Sequence, residues 1–414
     1  MTYIEFFDRA APKNIITCLT QVPDRVVLIG DDNQMSKYIE NYKRVFADRG
    51  HHIEFIIKNS SKNNLEHSVN VVTEMVNTYD DCVFDVTGGG ELLLVALGIV
   101  YQRLEGANIQ IHQYNFMNNA LVDCDKDGNT VFRDPPKLSA VENIRIHGGD
   151  IVYGDVDEER TYLWDLNPEF VSDVNRIWKL CKSQGRFWNK QIGLLTAAQA
   201  IGQHSSDGLT TVVSKVALEN HLAQFHTDYH TVRGILPALL NAGLLTQVNE
   251  SEKTLTVSYK NPQVKRCLTR AGQALEMKIF TTAKKVLDKE GKPVYDDALN
   301  GVVIDWDGEF HGEKEQLYDT ENEIDVLLMH NIIPVFISCK NGGVTVDELY
   351  KLNTVAARFG GQHAKKVLVT GSLGVGGAHL RQRAQDMKIR LLDNVHQLSE
   401  SELERKIISL WFNT

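Results

Sequence analysis

A chain of 414 residues with 43% hydrophobic and 24% charged residues has the make-up of a globular protein with packed cores, and its length calls for two or three domains. The net charge of −10 argues against a protein coated in nucleic acid, whose affinity comes from clustered Lys and Arg, yet leaves room for an enzyme with local positive charge and acidic metal ligands. The longest apolar run, residues 92–100, is too short to cross a bilayer, and no basic region followed by an apolar stretch opens the chain; a cytoplasmic protein with no membrane partner is expected. Cys18, Cys82, Cys124, Cys181, Cys267 and Cys339 lack C-x-x-C spacing. That argues against a disulfide framework and a zinc site, and fits a reducing compartment.

The first 150 residues alternate strand and helix patterns. Strands are predicted at 26–30, 52–58, 82–87 and 109–115, and helices at 33–50, 65–79 and 91–104. Strands separated by helices of this length specify an α/β domain with a Rossmann-like parallel sheet. Residues 121–132 read as a hairpin turning at Asp127 and Gly128.

Between about 164 and 272 helical segments dominate. An amphipathic helix at 230–241, a stop at Gly243 and two short strands at 244–248 and 254–259 outline a winged helix-turn-helix. A spacer module accounts for the same pattern, since Arg233 alone stands ready to read bases. The spacing of His221, His226 and His230 suggests a metal, but without a nearby Cys or a strict i, i+4 pair inside one helix beginning, solvated or capping roles suit them better.

From residue 272 onward helix and strand mix again: a helix at 272–289, strands at 301–306, 323–329 and 334–339, a helix at 346–359, a strand at 365–370, and helices at 378–387 and 400–412. The organisation expected is a sensor-like domain at 1–150, a linker with a winged-helix-like module at 151–270, and a second α/β domain at 271–414. Trp306-Asp307-Gly308 reads as a turn. The glycine-rich stretch 371–377 reads as a tight strand-to-helix turn in preference to a phosphate cradle.

Residues 323–340 carry the chemistry. With the turn centred near Asn331 and Ile332, Asp325 falls opposite Ser338, and period-2 alternation brings Lys340 to the same face. Ile324, Val326, Val335 and Ile337 are then expected on the other face. A carboxylate, a hydroxyl and an ammonium beside apolar strands are costly unless used or paired.

This arrangement resembles the PD-(D/E)xK nuclease core, in which an Asp is followed on the next strand by acid-x-Lys. The helix beginning Ala271-Gly272-Gln273-Ala274-Leu275-Glu276 resembles the one supplying that core's further Glu. The resemblance implies a restriction-endonuclease-like domain with Asp325, Ser338, Lys340 and Glu276 as catalytic residues. It also implies a divalent ion, Mn²⁺ or Mg²⁺, held by Asp325, Glu276 and Cys339. The chain departs from the pattern at Ser338, where the family has an acid; Glu276, Glu323 and Glu309 are candidates for the missing carboxylate, Glu276 foremost.

In the front domain, Asp85-Val86-Thr87-Gly88-Gly89-Gly90 follows a strand and opens a helix. Successive glycines there leave backbone N–H groups open to phosphates, although a tight turn explains the glycines equally well. Together with the rear domain, the motif resembles the CRISPR-associated Rossmann-fold (CARF) nucleases, over residues 1–150 and 270–414. That resemblance implies a homodimer activated by a cyclic oligoadenylate, foremost cyclic tetra-adenylate. It implies ligand contacts from Asp31, Asn33, Gln34, Thr87, Gly88, Gly89 and Gly90, and single-stranded DNA or RNA, or nicked duplex DNA, as substrate. The family's motif often continues with Thr-Lys where this chain has Gly90-Glu91. Two other readings stay open: a ligand-controlled DNA-binding regulator with an inactive nuclease fold, and a nucleotide-processing activity at residues 87–90 themselves.

Overall fold

A computed structural model of the chain describes residues 1–31, 33–61, 63–104, 109–116, 120–124, 136–308, 321–373 and 377–411. The front domain comprises β1 (Thr2–Phe6), β2 (Arg25–Gly30), α1 (Met35–Asp48), β3 (Glu54–Asn59), α2 (Leu65–Thr78), β4 (Cys82–Asp85), α3 (Glu91–Arg103), β5 (Ile109–Asn115) and β6 (Ala120–Asp123). They form one sheet in the order β3-β2-β1-β4-β5-β6. The first five strands run parallel, and β6 returns antiparallel to β5.

One sequence expectation changes here. Strand β1 has no counterpart in the sequence reading, yet it is the centre of the sheet and all five of its residues are buried. A strand covered on both faces shows no polar alternation, and Thr2–Phe6 lies where a frayed terminus is the ordinary assumption. Strand β6 pairs antiparallel with β5; the hairpin expected at 121–132, with its turn at Asp127 and Gly128, falls for the most part outside the described residues.

With this order the chain winds first to one side of β1 and then, from β4, to the other. The crevice between the carboxyl ends of β1 and β4 is therefore a topological switch point, where open α/β sheets characteristically bind ligands.

The winged module follows α4 (Ala140–Ile146), β7 (Asp150–Ile151) and α5 (Pro168–Gln184). It consists of α6 (Trp188–Ile201), β8 (Gln203–His204), β9 (Thr210–Ser214), α7 (Lys215–Ala223), α8 (Tyr229–Val232), α9 (Ile235–Asn241), β10 (Leu245–Glu250) and β11 (Thr254–Tyr259). Its sheet is ordered β10-β11-β9-β8. The helix expected at 230–241 is divided at Arg233 and Gly234, and Gly243, at φ +69°, stops it. Arg233 pairs with Glu250 on the wing at 3.0 Å.

After α10 (Pro262–Leu268) come α11 (Gln273–Lys285), β12 (Asp297–Asp305), β13 (Glu321–His330), β14 (Ile333–Lys340), α12 (Val346–Gly360), β15 (Lys365–Thr370), α13 (Ala378–Asp386), β16 (Arg390–Leu392) and α14 (Glu400–Ile408). The sheet runs β16-β15-β14-β13-β12-β7, so residues 150 and 151 add its edge strand. One core, with α5, α11, α14 and the winged module, covers one face through Val326, Leu328, Val335, Ile337 and Cys339. A second core covers the other face with α4 and α12, and continues into the front domain through Tyr3, Val26, Tyr42, Phe46 and Tyr114. The front sheet and the rear sheet thus share apolar packing. Arg44–Asp150 at 2.7 Å, Arg49–Glu142 at 2.6 Å and an Arg145–Asp48 pair tie α1 to α4 and β7. Among the described residues no helix is long and apolar enough to cross a membrane.

Candidate functional site

Two places gather polar groups. The first is the crevice at the switch point, a cavity of about 590 Å³ lined by residues 7–9 after β1, Gly30 at the end of β2 and Asp31 after it, Ser60 and Ser61 after β3, and residues 89–93. Beneath it Asp85, fully buried at the end of β4, accepts hydrogen bonds from the Thr87 N–H (2.6 Å) and the Thr17 hydroxyl (2.6 Å). Burial pushes this carboxyl up to about 6 despite those donors. Its register neighbour on β1, Glu5, is 1% exposed and raised well above the usual carboxylate range by burial and by Asp85.

The glycines after Thr87 have distinct duties. Gly89 adopts φ +96°, and a Cβ there would sit 2.3 Å from Phe6 Cβ; the loop presses on the central strand. Gly90 precedes α3, whose first turn no side chain caps, and a Cβ at Gly90 would meet nothing within 4 Å. The N–H groups at that helix start carry partial positive charge into the cavity.

Of the expected ligand contacts, Asp31, Gly89 and Gly90 line the cavity, and Gly88 is buried beside Asp8. The Thr87 hydroxyl instead accepts the Tyr114 N–H at 2.7 Å, fastening the loop to β5. Asn33 and Gln34 are exposed at the start of α1 and are not among the lining residues. Sequence reading missed residues 7–9, Arg9 in particular, because it missed β1. The run Tyr3-Ile4-Glu5-Phe6-Phe7, rich in strand-forming residues and followed by Asp8-Arg9, was the available signal.

The second place is the end of β13 and β14. The turn falls at Asn331 and Ile332, with Asn331 at φ +54°, and the register runs through Val326↔Ile337 toward Asp325 and Ser338. Asp325 Oδ2 accepts the Cys339 backbone N–H at 2.5 Å, lies 3.3 Å from Ser338 Oγ and 3.9 Å from Lys340 Nζ. Burial pushes the Asp325 carboxyl up, and Lys340 with these hydrogen bonds pulls it only part of the way back. Burial alone would pull the Lys340 ammonium down. Asp325 and Glu348 outweigh that and hold it above its ordinary value. Glu348, in the first turn of α12, stands 3.2 Å from Lys340. It escaped the sequence reading because nothing in the motif points to a helix that follows the strands.

The faces do not divide as expected. Val326, Val335 and Ile337 belong to the core beside α11, but Ile324 belongs to the core beside α12. Between the pairs Asn300↔Val326 and Val302↔Ile324 lie Gly301 and Asp325, and Gly301 has φ +59°. The left-handed residue twists β12 there, and the alternation changes face at Asp325. The carboxylate can consequently meet groups from both sides of the sheet: Lys340 on the α12 side and Glu276 on the α11 side.

Glu276, in the first turn of α11, accepts a hydrogen bond from Gln273 at 3.2 Å. Burial, then Asp325 and Glu323, raise it well above the usual carboxylate range. With Glu323, Arg160 and Arg270 it borders a polar cavity of about 410 Å³. The expected metal set of Asp325, Glu276 and Cys339 is not assembled: among the described residues no group of three or more His, Cys, Asp or Glu side chains is placed to hold an ion. Cys339 joins the cluster through its backbone, while its buried thiol packs in the core and is pushed up by burial, which keeps it protonated.

Lesser candidates resolve simply. His226 and His230 are exposed. Leu373 N–H bonds to Asp393 at 3.1 Å, as suits a structural turn; residues 374–376 lie outside the described residues, as does Glu309.

No protein-family model matches the chain, and no curated protein matches it in sequence. Solved structures do match its fold. Protein VC1899 from Vibrio cholerae is 16% identical with a TM-score of 0.71, covering 100% of this chain and 99% of that one. Can2 from Sulfobacillus thermosulfidooxidans, solved in complex with cyclic tetra-adenylate, is 16% identical with a TM-score of 0.65, covering 99% of each chain. The chain therefore shares one multi-domain α/β fold with both along its whole length.

Proposed function

We propose that the chain is a metal-dependent nuclease switched on by a cyclic oligoadenylate, acting on single-stranded DNA or RNA, or nicking duplex DNA, in CRISPR antiviral defence. The observation that carries the reading is the convergence of Asp325 Oδ2 with Ser338 Oγ, the Cys339 N–H and Lys340 Nζ. The fold shared with Can2, whose structure holds cyclic tetra-adenylate, supports a ligand of that kind in the front crevice.

The donor chemistry fits a hard divalent cation such as Mn²⁺ or Mg²⁺. The negative charges of Asp325 and Glu323 both act on the buried Glu276 and raise it, and a cation would relieve that repulsion. Asp325 and Glu276 would hold the ion, with Ser338 and water completing its shell. When bound, such an ion activates water and stabilises charge on the phosphate. Lys340, held charged between Asp325 and Glu348, orients the attacking water and pairs with a phosphate oxygen. The Cys339 N–H fixes the rotamer of Asp325.

In the crevice, the amides at the start of α3 and the Arg9 cation would pair with ligand phosphates. Arg9 supplies positive charge near Gly90-Glu91, where a lysine is missing. A homodimer would let one symmetric ring contact two crevices, and the apolar packing between front and rear domains would couple that event to the nuclease site. Incubating the protein with Mn²⁺, cyclic tetra-adenylate and labelled single strands tests the reading. Cleavage should need both additions and disappear in Asp325→Ala; cleavage unchanged in that variant overturns it.

A further inference from the structure

Strand β12 carries an asparagine, Asn300, where its sequence neighbours Leu299 and Ala298 pack in apolar cores, and it is only 2% exposed. Gln273, in the first turn of α11, is 5% exposed. Two buried amides cost free energy unless their donors and acceptors are used. Here they are used on each other and on the two acids. The Gln273 amide nitrogen donates to Asn300 Oδ1 at 2.8 Å and to Glu276 Oε2 at 3.2 Å. The Asn300 amide nitrogen donates to the backbone carbonyl of Asp325 at 2.8 Å. An unbroken chain thus runs from the Glu276 carboxylate through Gln273 and Asn300 to the backbone of Asp325.

We infer that Gln273 and Asn300 are positioning residues that set the spacing between Glu276 and Asp325 for a shared divalent cation. The inference rests on the nuclease reading above. The two acids come from different elements, one at a helix start and the other at a kinked strand. The amide chain links them, engaging Glu276 through Oε2 and Asp325 through its backbone carbonyl. A partner that orients a ligand through a hydrogen bond contributes to affinity without touching the metal.

The test uses the full-length protein without activator or substrate, so that it reads the metal alone. Mn²⁺ binding is followed by electron paramagnetic resonance for wild type, Asp325→Ala, Gln273→Met and Asn300→Ala, with thermal unfolding measured alongside. Methionine keeps the length and packing of glutamine while removing the amide. Gln273→Met should weaken Mn²⁺ binding by about tenfold with little change in unfolding temperature; in a separate assay with cyclic tetra-adenylate and a labelled single strand, saturating Mn²⁺ should restore cleavage in that variant but not in Asp325→Ala. Asn300→Ala provides a second route should Gln273→Met fold poorly. Wild-type Mn²⁺ affinity in either folded variant overturns the positioning role alone. Equal Mn²⁺ binding by wild type and Asp325→Ala overturns the nuclease reading together with it.

Discussion

Glu348 holds Lys340 at 3.2 Å, closer than the 3.9 Å that separates Lys340 from Asp325. The ammonium is therefore braced from α12 as well as from β13, and its charge is kept by two acids. Lys340→Met should abolish activator-dependent cleavage and leave cyclic tetra-adenylate affinity unchanged. Glu348→Gln keeps the lysine but loosens it, and should slow single-turnover cleavage on the order of tenfold. A Lys340→Met protein that cleaves at the wild-type rate removes the lysine from the mechanism.

Gly89 and Gly90 separate two effects that a single glycine substitution would confuse. Gly89→Val meets Phe6 on the central strand and a φ of +96°. It should lower stability by about 2–3 kcal/mol, visible as a fall in unfolding temperature with or without ligand. Gly90→Val points into open space and should leave the unfolding temperature alone while weakening cyclic tetra-adenylate binding by calorimetry. Unaltered affinity in Gly90→Val places the ligand elsewhere.

Asp85 makes stability depend on pH. Burial raises this carboxyl from 3.8 to about 6, so the folded chain takes up its proton more readily than the unfolded chain. The corresponding stability is fully present below pH 3.8 and is lost as pH rises through 6, amounting to about 3 kcal/mol. Asp85→Asn cannot ionise and can still accept the Thr87 N–H. Its stability relative to wild type should rise between pH 4 and pH 7 in urea unfolding. A difference that does not vary with pH means that Asp85 does not titrate in this range.

Local pattern made some of this legible and concealed the rest for definite reasons. The opposition of Asp325 and Ser338 followed from a turn location and a period of two, both local. The exchange of faces at Asp325 depends on a positive φ at Gly301 on a neighbouring strand, and no periodicity within β13 reveals it. Strand β1 was hidden because burial on both faces erases alternation. Glu348 and Asn300 reach the site only through tertiary packing, so their proximity is invisible in the order of the chain.

The contact between front and rear domains has a measurable consequence. Arg49 grips Glu142 at 2.6 and 3.0 Å and the Lys137 carbonyl at 2.6 Å, linking the end of α1 to α4. The start of α1 follows the loop that carries Asp31. Arg49→Met should leave cyclic tetra-adenylate affinity near wild type yet reduce activated cleavage severalfold. Equal activation at saturating ligand would show that α1 does not transmit the signal.

Ser338 sets the metal preference. One aspartate and a neutral hydroxyl compensate a divalent ion less than two carboxylates would, so the second charge falls to Glu276. Mg²⁺ gives up its waters reluctantly and demands near-ideal octahedral geometry, whereas Mn²⁺ binds such mixed sites more tightly. Cleavage should therefore be faster in Mn²⁺ than in Mg²⁺, and Glu276→Gln should be nearly as damaging as Asp325→Asn. Ser338→Glu places a carboxylate beside Asp325 and Lys340, where the 3.3 Å contact of Ser338 Oγ with Asp325 now lies. It should tighten the metal and reduce the dependence on Glu276, so that Ser338→Glu with Glu276→Gln is more active than Glu276→Gln alone. If Glu276 merely finishes the first turn of α11 and bonds Gln273, its loss would shift stability slightly and rate hardly at all. Rate measured against metal concentration for the single variants decides between them: a Glu276→Gln enzyme with wild-type metal dependence ends the assignment of Glu276.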